Sequence, residues 1–99
     1  MAASYNNLGL AYKNKGVYDR AIEYYEKSLR IKIAALGDEH PSVATSYNNL
    51  GSAYDSKGEY DRAIEYFSKA VVIGRAALGS GHPDSKRYVR NLERVRAPL

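Results

Sequence analysis

Apolar residues along the 99-residue chain recur at spacings of three and four, the period of helices that bury one face. Tyr47, Leu50 and Tyr54 mark one such face, and Lys57-Gly58 closes it. Ile22, Tyr25, Leu29, Ile33 and Leu36 mark a longer one that stops at Gly37. Pro41 and Pro83 suit the first helical position, where the N–H they lack has no partner to lose. Asp19 and Asp61 favour the positive end of a helix dipole, so each opens a further helix. The pattern predicts helices over 3–15, 18–36, 41–57, 60–78 and 83–96.

The pattern also repeats. Tyr5-Asn6-Asn7-Leu8-Gly9 returns as Tyr47-Asn48-Asn49-Leu50-Gly51, and Tyr18-Asp19-Arg20-Ala21-Ile22-Glu23-Tyr24 returns as Tyr60-Asp61-Arg62-Ala63-Ile64-Glu65-Tyr66. Leu36-Gly37 and His40-Pro41 recur as Leu78-Gly79 and His82-Pro83, always at an offset of 42 residues. Residues 5–41 and 47–83 share 24 of 37 positions. Self-similarity at such a period is the mark of a solenoid, in which each helix pair buries its open face on the next. Gly9 and Gly51 sit inside predicted helices, where Gly costs about 1 kcal/mol relative to Ala. Close approach of a partner helix compensates that cost.

These residues resemble the tetratricopeptide repeats. The resemblance rests on Tyr5-x2-Leu8-Gly9-x2-Tyr12 with Ala21-x3-Tyr25, and on Tyr47-x2-Leu50-Gly51-x2-Tyr54 with Ala63-x3-Phe67. The long 42-residue period, the Asn-Asn-Leu run, the Leu-Gly ending and the His-Pro junction are similar to the repeats of kinesin light chains. The resemblance implies an all-α superhelix: a single domain with repeat 1 at 1–40, repeat 2 at 41–82, and a capping helix and tail at 83–99. In the third unit Glu93 stands where Gly51 would repeat and Arg96 where Tyr54 would, as suits a cap with a solvated outer face. Ser85, Tyr88, Leu92 and Val95 are expected to bury against the preceding pair. A chain that opens two residues into a repeat reads as a section of a longer array.

The resemblance also implies a peptide groove lined by the first helices. Ala3, Asn6, Leu10 and Lys13 form its stripe in one copy, Thr45, Asn48, Ser52 and Asp55 in the next, and Arg87, Arg90 and Arg94 on the cap. Asn side chains there can donate to and accept from the main chain of an extended peptide. Asn7 and Asn49 are expected instead to bridge helices. The chain carries a net charge of +4, and most of it is local. Residues 1–81 hold ten Lys and Arg against nine Asp and Glu, and residues 82–99 hold five against two. Arg captures carboxylates in bidentate fashion, so cap arginines that serve the groove favour an acidic partner.

Other chemistries find little support. Zero Cys excludes a disulfide framework and thiolate metal sites, and fits a reducing, cytoplasmic compartment. No apolar run approaches the length of a membrane span. Asp55 interrupts the groove, and basic residues are not interleaved with aromatics, so nucleic acid is not expected. His40 and His82 recur once per repeat without convergent ligands, which suits helix junctions better than a metal. No nucleophile–base set or phosphate loop is present, so neither catalysis nor a cofactor is expected. Glu23 and Glu65 fall within i,i+4 reach of Lys27 and Lys69, an ordinary surface pairing. The expected function is protein–peptide interaction of roughly micromolar strength or weaker. The alternative is a structural element that forms a homodimer through Ala2, Tyr5, Leu8 and Tyr12.

Overall fold

The computed structural model describes residues 2–96, and these form five helices. They are α1 (Ala2–Asn14), α2 (Tyr18–Leu36), α3 (Pro41–Lys57), α4 (Tyr60–Leu78) and α5 (Pro83–Arg96). The tail at 97–99 lies outside the described residues, as does the side chain of Ala2. Helices α1 and α2 pack as one pair and α3 and α4 as a second, with α2 against α3 and α4 against α5. The arrangement is the α solenoid expected from the repeat.

Local chemistry sets the helix ends. The Nδ1 atom of His40 accepts from the Ser42 N–H at 3.1 Å, and Pro41 follows in the first turn. His82 repeats the device, accepting from the Asp84 N–H at 3.0 Å. The recurring histidines are thus helix caps that satisfy orphan donors. Gly58 closes α3 in the left-handed region, with φ of 90°, which side chains with a Cβ rarely adopt.

Within each pair a glycine faces a ring. A Cβ on Gly51 would lie 2.6 Å from Phe67, and one on Gly9 the same distance from Tyr25. The glycines therefore let the helices close to van der Waals contact, as their in-helix position predicts. Stacked tyrosines run beside that contact. The Tyr24 ring lies 6.0 Å from Tyr5 and 5.5 Å from Tyr12, and Tyr66 repeats both distances with Tyr47 and Tyr54. Lys27 covers Tyr5 and Tyr24 while Lys69 covers Tyr47 and Tyr66, an attraction to the ring faces. Glu23 pairs with Lys27 at 3.8 Å. The expected Glu65–Lys69 pair is not among the ion pairs of the described residues, although Lys69 covers its rings as Lys27 does.

The core sits between the pairs. Leu50, Phe67 and Tyr88 are fully buried where α3, α4 and α5 meet. Ser85, Tyr88 and Leu92 of α5 bury as a cap should, Val95 is only half-buried, and Glu93 and Arg96 are exposed. One size exchange seats α5. Repeat 1 places Lys32 where repeat 2 has Gly74, and a Cβ on Gly74 would lie 3.0 Å from Tyr88. Tyr88 in turn stands where the previous first helix has Ser46. A small residue on one side of the joint thus admits a large ring on the other.

Candidate functional site

The first-helix residues of the three units gather around an open hollow of about 330 Å³. Asn6 and Leu10 of α1, Thr45, Asn48 and Asn49 of α3, and Arg87 of α5 line it, with Tyr25 beneath. Five of the eleven expected groove residues, Asn6, Leu10, Thr45, Asn48 and Arg87, therefore share one surface. Lys13, Ser52 and Asp55 are half-buried away from it, and Arg90 and Arg94 are exposed on α5.

The amides do not stand as the sequence reading expected. Asn49 Nδ2 donates to Asn6 Oδ1 at 2.9 Å, and Asn91 Nδ2 donates to Asn48 Oδ1 at 2.9 Å. The second Asn of each unit reaches back to the first Asn of the unit before. Asn48 is only 9% exposed, so it is mainly a joint between repeats, with little surface for a ligand. The bridging expected of Asn49 is present, whereas Asn7 is exposed. The cap carried a signal of this. It keeps the donor, Asn91, and replaces the acceptor that the next unit would need with Arg90.

Charge is similarly committed. Arg94 donates to Asp55 Oδ2 at 2.9 Å, so the acid that seemed to interrupt the groove pins the cap to α3. Arg87 lies 3.5 Å from Asp84 and over the Tyr88 ring. Arg90 forms no ion pair among the described residues. Between repeats, Lys57 Nζ sits 2.6 Å from Asp19 and 2.8 Å from Glu59. Those two carboxylates, through direct hydrogen bonds, hold its ammonium well above the ordinary lysine range. Thr45 and Tyr88 share a hydroxyl contact of 3.2 Å at the edge of the hollow. Thr45 lies on the expected first-helix stripe; Asn49 and Tyr25 do not, the first being expected as a bridge between helices and the second lying on α2, across a joint that single-helix periodicity does not describe.

No group of three or more metal-ligating side chains occurs among the described residues. No described helix is long and apolar enough to cross a membrane.

A family model, the tetratricopeptide repeat, matches residues 1–76. The chain belongs to the tetratricopeptide repeat family. Among solved structures it is similar to a Podosopora anserina chain described as a kinesin light chain with nearly identical TPR-like repeats. The match has a TM-score of 0.82 and 30% identity over 94% of this chain. A single-residue variant of that protein matches equally, at 0.82 and 30%. The chain spans 44% of the length of these relatives. No curated protein matches it. The kinesin-light-chain-like character of these tetratricopeptide repeats thus rests on sequence pattern, fold and identity together.

Proposed function

We propose that the chain is a non-catalytic protein-interaction module that binds an extended, acidic segment of a partner protein across the first-helix hollow. The observation that carries this reading is the composition of that surface. Leu10 is 48% exposed beside Asn6 and Arg87, and Arg90 lies exposed on the same helix as Arg87. An apolar foothold beside the exposed Arg87, with Arg90 on the same helix and free of ion pairs among the described residues, suits a peptide with a carboxylate near an apolar side chain. Asn6 and Asn48 serve the joints, so Leu10, Arg87 and Arg90 carry recognition. A short groove supports weak binding, roughly micromolar or poorer.

Fluorescence anisotropy with a pool of labelled Asp- and Glu-rich peptides tests this. Leu10→Ala with Arg87→Ala and Arg90→Ala is expected to abolish binding while helicity is retained, and salt is expected to weaken it. Equal affinity for neutral and acidic peptides would overturn the acidic preference, and binding untouched by the triple variant would overturn the site.

A second reading, self-association through α1, is favoured by one observation. Leu8 is 41% exposed, while its repeat equivalents Leu50 and Leu92 are buried. Sedimentation over a concentration series decides it: a mass that stays monomeric at high concentration rejects a second copy on that face.

A further inference from the structure

A second surface lies apart from the first-helix hollow and shares no residue with it. The α2–α3 junction and the side of α4 enclose an open slot of about 370 Å³, near the lower end of ligand-pocket sizes of roughly 300–1,000 Å³. Its rim is acidic: Asp38 and Glu39 are exposed, and neither makes an ion pair or hydrogen bond among the described residues. Apolar atoms of Tyr47 and Ile73 supply its interior, and Val72, at 68% exposure, stands beside them. Lys69 borders the slot with its ammonium 5.4 Å from the Tyr47 ring centre, leaving two carboxylates against one committed cation.

The internal repeat supplies a control for this surface. Where α4 has Ser68 and Val72, the equivalent positions of α2 hold Glu26 and Arg30. Where the first junction has Asp38-Glu39, the second has Ser80-Gly81. Four of the 13 differences between the copies therefore fall at this slot or its equivalents. Repeat 1 shows that the fold accepts charge at both helical positions. Packing accordingly does not require an exposed Val at 72, and with Tyr47 and Ile73 it makes a contiguous apolar surface rimmed by polar groups, the arrangement that marks an interaction site.

We propose that this slot is a second docking site, one that takes an apolar side chain flanked by Lys or Arg from a partner protein. The apolar side chain enters between Tyr47, Ile73 and Val72, and the flanking cations meet Asp38 and Glu39. Its charge preference is opposite to that of the first-helix hollow, so the two sites sort different segments. The probes are heptapeptides of the form Gly-Lys-Lys-X-Lys-Lys-Gly, with X as Leu, Ile, Phe or Met. Amide shifts of the isotope-labelled chain report where they bind. Perturbation is expected at Asp38, Glu39, Ser68, Val72 and Ile73, and not at Leu10 or Arg87. Replacing X by Ser, or Lys by Glu, is expected to weaken binding at least about tenfold. Ser68→Glu with Val72→Arg, which transplants the residues of repeat 1, is expected to do the same with helicity unchanged. Asp38→Ser with Glu39→Gly transplants the second junction and removes the Lys preference, an independent check in an exposed loop. Arg87→Ala with Arg90→Ala leaves this binding unchanged. No perturbation by any probe at about 1 mM, equal response to the Glu peptides, or indifference to both transplants overturns the proposal.

Discussion

Leu8 and Leu50 occupy the same place in two nearly identical helices, yet Leu8 is 41% exposed and Leu50 is fully buried. Gly9 and Gly51 behave differently from the leucines: a Cβ on either would lie the same 2.6 Å from its aromatic partner. Contacts inside a helix pair are thus a property of the repeat sequence, present in both copies. Contacts between pairs are a property of stacking, and α1 lacks them on its outer side among the described residues. Asn49 reaches Asn6 and Lys57 reaches Asp19, while the equivalents Asn7 and Lys15 are exposed. Solenoid stability is in this sense a sum of unit and neighbour terms, and one chain here displays both.

Substitutions can break that comparison. Leu50→Ala is expected to cost about 2–5 kcal/mol by leaving a cavity, and Leu8→Ala within about 0.5 kcal/mol, as at a surface site. Chemical denaturation of the two variants checks this; equal losses would contradict the stacking account. Gly51→Leu drives a side chain into Phe67 and is expected to cost about 1–3 kcal/mol. Thermal melts that match wild type would remove the close-contact role. Asn91→Ala strands the nearly buried Asn48 carbonyl, an expected loss of about 1–3 kcal/mol, whereas Asn49→Ala leaves Asn6 within reach of water and costs about 0.5–1.5 kcal/mol.

The smallest effect is alkaline. Burial pushes the Tyr25, Tyr54 and Tyr66 hydroxyls above the ordinary tyrosine range, and carboxylate partners raise Lys57. Groups raised on folding contribute stability below their unfolded values, and that contribution is lost as pH climbs through the folded ones. Burial lowers Lys32, which acts in the opposite sense and offsets part of the loss. Stability is therefore expected to be flat around neutrality and to fall above about pH 10. Melts across alkaline buffers read it directly, and a rise in stability over that range would contradict the assignment.

Much of this architecture was legible in the sequence. The expected helix limits match four of the five observed helices, and the first differs by one residue at each end. Periodicity, proline and glycine punctuation carry such limits because they act within one element. The site was less legible. Asn6 and Asn48 look like groove amides on a single helix, and only the stack reveals that a residue 43 positions later occupies each. Arg94 and Asp55 read as separate groove charges for the same reason, and the structure joins them. What does remain readable is the cap: retaining Asn91 while replacing the acceptor with Arg90 shows which way the amide bonds run.

The central claim, that an acidic segment binds across the first helices, is tested most directly by mapping one bound peptide. Amide shifts of the labelled chain, titrated with the tightest peptide of the acidic pool, locate it residue by residue. The account predicts saturating shifts centred on Asn6, Leu10, Thr45, Arg87 and Arg90, lost in the Arg87→Ala, Arg90→Ala variant. Shifts confined to α2 and α4, or an acidic pool that produces none at about 1 mM, would contradict it.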